Sequence, residues 1–407
     1  MKFQTEGNMD ELISELVQPA KTKIVLLVLD GLGGFRNAER GSELFEATTP
    51  NLDQLAAEGS SGLHTVVGPG VTPGSGAGHL ALFGYDPLVY RMGRGALCAA
   101  GIGFDLGPLD IAARLNFCTL DDEGNVSDRR AGRISTEVNQ RLCDLITTQV
   151  DLGEGVELIL QPEMDHRALL VLRAEGLSPH VSDTDPQGLG LPPKTPIALA
   201  HEAELTATRL QEMLGQIRTL LKGEQANFVL MRGFDTLRNL PRFPTVFRLR
   251  SVGIAVYPMY TGIARILGME VAQGMKSWDE QLTNMESSWD RYDFFYVHDK
   301  KPDSAGEDGS FERKCAAIEE LDQTIPRVMD LNPDVICVTG DHCTPSFLMG
   351  HSWHPVPFLL RGPAVGVDTA THFNEEEGRH GAFGHVMAKS LMPLMLASAG
   401  RLAKFGA

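Results

Sequence analysis

The stretch KIVLLVL (Lys23 to Leu29), closed by Asp30-Gly31-Leu32-Gly33-Gly34, points most directly to an architecture. An unbroken run of β-branched and leucine residues fits a strand buried on both faces, as in a parallel sheet. Open α/β sheets place ligands at the carboxyl ends of such strands, which is where Asp30 and its glycines stand. Runs of the same kind recur at Phe294 to His298 and at Val335 to Thr339, and each ends in polar residues able to ligate. Thr49-Pro50-Asn51-Leu52-Asp53 opens a helix, with a capping hydroxyl and then a proline and an acid in the first turn. Together these segments predict an α/β fold on a mainly parallel central sheet.

The texture changes between about Gly107 and Leu249. Strand-like pieces appear at Ala113 to Leu120, Val156 to Leu160, Ala168 to Arg173 and Asn227 to Met231, with an amphipathic helix at Glu202 to Leu221. A loop rich in Pro, Gly and Asp runs from Ser178 to Pro193. The expectation is a smaller α+β domain, 108–249, inserted into a discontinuous one, 1–107 with 250–407. The chain would return to the first domain through Gly253 to Met269, and the apolar segment Val386 to Ala397 would form a late helix on the main sheet. A length of 407 residues suits two domains or one with an insertion.

Composition narrows the function classes. The chain is 43% hydrophobic and 22% charged, as in ordinary globular proteins. A net charge of -17 argues against a nucleic-acid or anionic-membrane partner. It also means that an anionic substrate would need metal ions and placed arginines to reverse the field locally. The six cysteines show no CxxC pairing and read as reduced core thiols. Met1 to Ala20 is polar and acidic without an apolar signal core, so the expected location is the cytoplasm.

Several constellations carry chemistry. In Gly70-Val71-Thr72-Pro73-Gly74-Ser75-Gly76-Ala77-Gly78-His79, one serine stands among small residues just before an apolar run. A hydroxyl held at the mouth of a helix is placed to attack an anion, and metal activation is the economical way to make it nucleophilic. Asp30 can reach a metal or phosphate past its glycines. Asp303 and Glu307, four apart, share a face if the segment is helical. Asp341-His342 follows the strand Val335 to Thr339, and His351 and His354 precede a rigid Pro-Val-Pro. Mixed carboxylate and imidazole ligands suit zinc or manganese better than magnesium or calcium. In the inserted region Asp128-Arg129-Arg130-Ala131-Gly132-Arg133, the loop holding His180, Asp183 and Asp185, and Arg232 make a candidate anion site.

These residues fall into a known pattern. VLDGLGG (Val28 to Gly34), TPNLDQLA (Thr49 to Ala56), TPGSGAGHLALFGYDP (Thr72 to Pro87), GRGALCAAGI (Gly93 to Ile102), DRRAGRI (Asp128 to Ile134), YPMYTGIARILGM (Tyr257 to Met269), TGDH (Thr339 to His342), HSWHPVP (His351 to Pro357) and the terminal KFGA run nearly the whole length. The sequence resembles the archaeal-type cofactor-independent phosphoglycerate mutases of the alkaline phosphatase superfamily. The resemblance implies an alkaline-phosphatase-like α/β sandwich with an inserted substrate domain, a two-metal site and a phosphoserine intermediate. It implies interconversion of 3-phosphoglycerate and 2-phosphoglycerate without 2,3-bisphosphoglycerate. A phosphomonoesterase or phosphotransferase of the same superfamily is the alternative.

By position, Asp30, Ser75, Asp341 and His342 look like the ligands of one metal, with Ser75 also the nucleophile. Asp303, Glu307 and His351 look like those of the other. Manganese is the first expectation, with zinc, magnesium or cobalt as alternatives. The family typically carries histidine where this chain has Glu307, which leaves the identity of the ion open. Arg94, Arg129, Arg130, Arg133 and Arg232 are expected to hold substrate phosphate or carboxylate. Asp128, His180, Asp183 and Asp185 are weaker candidates for contact or proton shuttling. A small-molecule phosphoglycerate is the expected partner, and a homo-oligomer is left open.

Overall fold

In the computed structural model, which describes residues 9–236 and 240–406, Ile24–Leu29 is wholly buried near the middle of an eight-stranded sheet. Its neighbours are Phe294–Asp299 and Val335–Thr339, both parallel to it, with Leu29 level with Asp299 and Val28 with Thr339. Ser251–Ile254 and Glu270–Val271 extend the parallel run on one side. On the other side Val356–Arg361 pairs antiparallel with Val335–Thr339 and with Ser60–Thr65, and Gly384–Met387 lies parallel to the latter. The sheet is thus mainly parallel. Apolar residues of the central strands interlock with the helices Pro50–Ala57, Trp278–Ser287 and Phe311–Asp322, through Leu52, Leu282 and Ile318 among others.

Contacts divide the chain into two units, 1–91 with 240–407 and 92–239. These limits differ from the expected 107/108 and 249/250. The earlier start has a clear cause. The helix Arg94–Ile102 packs on strands Asp110–Leu120 and Phe228–Thr236 of the inserted unit. Gly95 permits that contact, because a Cβ there would fall 2.0 Å from the Ala112 carbonyl oxygen. The segment 240–249 precedes the strand Ser251–Ile254 and belongs with the larger unit.

The inserted unit is an antiparallel sheet of five strands, with Asp110–Leu120 paired to Val126–Asp128, Arg167–Arg173 and Phe228–Thr236, and Glu157–Met164 beyond. One face, with Ala113, Leu115 and Phe117, is buried with the helices Thr136–Gln149 and Glu204–Leu220. The opposite face meets the helix Arg94–Ile102 through Cys98, Ala99, Ala112, Leu169 and Val171.

Two local expectations change. Val386 lies in the strand Gly384–Met387, and the late helix is shorter, Leu391–Ser398. A β-branched residue next to Met satisfies either conformation, and pairing with Ser60–Thr65 settles it. Thr49 precedes the helix Pro50–Ala57 but makes no side-chain cap, its Oγ1 instead lying 3.4 Å from Asp53 Oδ1. Met1 and the rest of the first eight residues, and Ala407 of the terminal KFGA, lie outside the described residues.

Candidate active site

Three adjacent parallel strands deliver their carboxyl ends to one place. Asp30 leaves Ile24–Leu29, Asp303 follows Phe294–Asp299 on the helix Lys301–Glu307, and Asp341 and His342 follow Val335–Thr339. All four side chains are fully buried. Ser75 opens the helix Ser75–Leu82 and is 9% exposed. That helix can lie against the strand ends because residue 78 is glycine: a Cβ there would meet the Asp341 carbonyl oxygen at 2.5 Å. Gly31, at φ +65°, plays the same part for the Asp30 loop, where a side chain would collide with Thr344 and Asp303.

His342 Nε2 lies 3.2 Å from Ser75 Oγ and 3.3 Å from both Asp30 Oδ1 and Asp341 Oδ2. Its tautomer follows from its other nitrogen. Thr344 has one hydroxyl proton, which goes to Asp303 Oδ1 at 2.6 Å, so Thr344 Oγ1 accepts from His342 Nδ1 at 3.0 Å. Nε2 is then a bare lone pair. It faces carboxylate oxygens Asp30 Oδ1 and Asp341 Oδ2, which are buried and have no hydrogen-bond donor. A lone pair opposite two orphaned carboxylate oxygens is repulsive unless a cation lies among them.

The second group repeats the pattern. His351 Nδ1 donates to the Pro73 carbonyl at 3.0 Å, leaving Nε2 bare, 3.7 Å from Asp303 Oδ1 and 3.9 Å from Glu307 Oε1. Ligand atoms of Asp30, Asp341 and His342, and likewise of Asp303, His342 and His351, lie within 4.8 Å of one another. The His342 tautomer directs its free nitrogen to the first group. Both donor sets fit divalent metal ions. Asp303 and Glu307 do share a helix face, but Asp303 is buried and the Glu307 side chain is 52% exposed, so Glu307 stands at the rim.

The remaining oxygens are held by cations and imidazoles. Asp30 Oδ2 accepts from His298 Nε2 at 3.0 Å and Lys300 Nζ at 3.2 Å, and Lys300 also reaches Asp303 Oδ2. Burial opposes ionisation of Asp30, yet the Lys300 ammonium and the His298 hydrogen bond hold its carboxyl well below the usual range. Burial likewise works against the Lys300 ammonium, and Asp30 and Asp303 outweigh it, so Lys300 stays charged. Burial depresses His342 and His298 and favours their neutral forms, as ligation by His342 requires. His79 donates through Nδ1 to the Ser75 carbonyl at 2.9 Å and lies 3.3 Å from Asp341 Oδ2. Lys314, wholly buried, ties Gly33 and Thr344 carbonyls at 3.1 and 2.9 Å and so fixes the Asp30 loop to the His342 loop.

In the inserted unit, alternate residues make a polar surface. Arg114 and Asn116 lie on the sheet face that carries Ala112, with Arg232 level with Arg114 and Arg167 level with Asn116. Asn116 Oδ1, Glu163 Oε2, His166 Nδ1 and Arg232 Nε are buried without hydrogen-bond partners among the described residues. His166 is pushed down to about 4 by burial first, then by the positive charges of Arg167, Arg130, Arg114 and Arg133. Arg129 makes a forked pair with Asp185 at 2.5 and 3.2 Å, and Arg232 lies 3.7 Å from Asp183 and 3.8 Å from Asp185. Arg94 packs beside Gly233, next to Arg232 in the chain.

Two other candidates make contacts within the inserted unit. Asp128 accepts from the backbone of Arg130 and Gly132 at 2.7 and 2.6 Å, which stabilises a turn where Ala131, Gly132 and Arg133 all have positive φ. His180 is largely exposed and bonds Glu202 at 3.1 Å.

A buried serine at a helix mouth, before two carboxylate and imidazole groups on parallel strand ends, defines a metal-dependent phosphoryl-transfer enzyme. The family model for 2,3-bisphosphoglycerate-independent phosphoglycerate mutase matches residues 56–227. A probable mutase of that description from Thermus thermophilus is 48% identical over 97% of this chain and 99% of its own. A solved protein of Pyrococcus horikoshii superposes with a TM-score of 0.80 at 28% identity, covering 96% of this chain and all of its own. The cofactor-independent phosphoglycerate mutase of Thermoplasma acidophilum gives 0.67 at 28% identity, over 93% of this chain and all of its own. The chain belongs to the 2,3-bisphosphoglycerate-independent phosphoglycerate mutase family.

Proposed function

We propose that the chain interconverts 3-phosphoglycerate and 2-phosphoglycerate through a phosphoserine at Ser75, without 2,3-bisphosphoglycerate. The observation that carries this reading is Ser75 Oγ at 3.2 Å from a bare His342 Nε2, beside the orphaned oxygens of Asp30 and Asp341. Asp30, Asp341, His342 and Ser75 would hold one divalent ion, and Asp303 and His351, with Glu307 at the rim, another. Manganese is our first choice. When bound, the ions supply Lewis-acid stabilisation of charge on the phosphoryl oxygens.

The chain's own residues do the rest. The bond from Ser75 Oγ to phosphorus forms as the bond from phosphorus to the glycerate oxygen breaks. The phosphoryl group then returns to the neighbouring hydroxyl. N–H groups at the start of Ser75–Leu82 face the anion. Lys300 and Thr344 keep Asp303 and Asp30 in orientation. Water must be kept from the intermediate while glycerate is bound, or the enzyme would act as a phosphatase. Arg130, Arg133 and Arg232 bind the glycerate carboxylate and phosphate, and Arg129 is fixed by Asp185. Of Asp183 and Asp185, Asp183 retains exposure and is the group we assign to proton movement between hydroxyls.

No helix among the described residues is long and apolar enough to cross a membrane. We place the enzyme in the cytoplasm, in keeping with six cysteines that stand as free thiols, five of them buried. The test is to load metal-free protein with Mn²⁺, Zn²⁺, Mg²⁺ or Co²⁺, add 3-phosphoglycerate, and follow 2-phosphoglycerate and free phosphate. Isomer without free phosphate is expected. Free phosphate without isomer would make the chain a hydrolase and overturn the assignment.

A further inference from the structure

Two side chains outside the candidate metal groups reach both of them. Lys300 bonds Asp30 of the first group and Asp303 of the second. Thr344 Oγ1 donates to Asp303 Oδ1 at 2.6 Å and accepts from Nδ1 of His342, whose Nε2 faces Asp30 and Asp341, at 3.0 Å. The two bridges differ in kind. Lys300 carries a positive charge on a flexible stem and competes with any incoming cation. Thr344 is neutral, and its one donor and one of its acceptor positions are both committed.

The loops are shaped around Thr344, which is wholly buried. Its N–H lies 3.2 Å from the carbonyl oxygens of both Gly31 and Gly33. Its own carbonyl accepts from Lys314 Nζ at 2.9 Å. A Cβ at Gly31 would fall 2.5 Å from Thr344 Oγ1. A Cβ at Gly306 would fall 2.3 Å from the Thr344 carbonyl oxygen and 2.9 Å from its Cγ2. Glycines of the Asp30 loop and of the helix Lys301–Glu307 thus both leave room for this one residue. The hydroxyl is held in place, and it gives direction to a ligand of each group.

We propose that Thr344 is a positioning residue for both metal groups: its single hydroxyl sets His342 for one ion and Asp303 for the other, and it ligates neither. The proposal rests on the two-ion reading above. Without the hydroxyl, the Nδ1–H of His342 is buried facing no acceptor. The imidazole then gains by carrying its proton on Nε2, where the Asp30 and Asp341 oxygens at 3.3 Å would accept it, and that proton stands where an ion would bind. Asp303 Oδ1 loses a donor in the same step. Groups that orient metal ligands in this way carry a large share of a site's affinity.

The test compares Thr344→Ser with Thr344→Ala in the full chain. Both lose the methyl group beside Gly306, so they differ only in the hydroxyl. Metal-free protein, shown folded by circular dichroism, is titrated with Mn²⁺ by calorimetry, and bound ions are counted per chain. The parent is expected to bind two ions, and Thr344→Ser to keep both affinities within about threefold. Thr344→Ala should weaken both ions by about ten to a hundredfold. Thr344→Val, which keeps the volume, carries the same expectation should Thr344→Ala not fold. Weakening of one ion alone would overturn the proposal. So would equal affinities in the serine and alanine variants, even with a lower melting temperature for the latter, because the hydroxyl would then serve the fold only. A parent chain that binds fewer than two ions would overturn the two-ion reading, and the proposal with it. That failure is told apart because it shows before any variant is compared.

Discussion

The larger unit places Asp30, Asp303, Asp341 and His342 just past the ends of parallel strands, fully buried, with every orientation set by a neighbour. The inserted unit places Arg114, Asn116, Arg167 and Arg232 along the middle of antiparallel strands, on a face that is apolar under one helix and polar beyond it. The first arrangement is rigid and negative, and needs cations. The second is positive and carries exposed arginines, and suits an anion that must come and go. Under the proposed reaction, the difference teaches that chemistry and recognition of substrate fall to separate groups, each on the sheet type that suits it.

The comparison breaks first at Ser75. Ser75→Ala should lower isomerisation by about four orders of magnitude or more, because no other group takes the phosphoryl. Its melting temperature should stay near that of the parent chain, and phosphoserine should vanish from intact-mass spectra. A parent-like rate would remove Ser75 from the mechanism. Next is Asp30→Asn, which keeps the shape but removes a charge that a metal ion in this group would need. We expect about a thousandfold loss of rate and loss of one metal ion per chain by elemental analysis.

Arg232→Ala acts on the other side. It should raise KM for 3-phosphoglycerate by tens of fold, for about 2 kcal/mol of lost charged hydrogen bonding, with metal content unchanged. Lost metal in that variant would mean that the two regions are not separable.

Acid should destabilise both units. His64 in the larger unit and His166 in the inserted unit are each pushed down to about 4, first of all by burial. The unfolded chain therefore binds more protons than the folded one between about pH 6.5 and 4, and stability falls as pH drops through that window. At pH 5 His64 should cost about 2 kcal/mol relative to neutral pH, and His166 less because it is nearer solvent. His64→Gln and His166→Gln should each flatten the pH dependence of urea midpoints. The smallest effect is expected at Glu307. With its side chain half exposed and 3.9 Å from His351, Glu307→Gln should change metal affinity by only about threefold. A hundredfold loss would make Glu307 a full ligand rather than a rim residue.

Much of this could be read from sequence, for a physical reason. A strand end followed by Asp-Gly or Asp-His is contiguous, so Asp30, Asp341 and His342 stand out beside their apolar runs. The central strands Ile24–Leu29 and Val335–Thr339 were visible for the same reason. Lys300 and Thr344 were not, because a lysine in an acidic loop and a threonine after Cys look like surface residues until the fold brings Asp303 between them. Arg114, Asn116, Arg167 and His166 were also missed. They alternate with core residues on different strands, and only strand register brings them together. The Asn116 and Arg114 spacing of two was the available signal: polar residues at i and i+2 within an otherwise apolar strand. The domain limit near residue 92 was hidden because GRGALCAAGI reads as a continuation of the serine segment.

Lys300 has a consequence for how the enzyme is run. An ammonium tethered to the backbone bridges two of the three strand-end aspartates. The negative ground at the sheet's end is thereby partly neutralised by the chain itself, so the fold does not have to wait for an ion during synthesis.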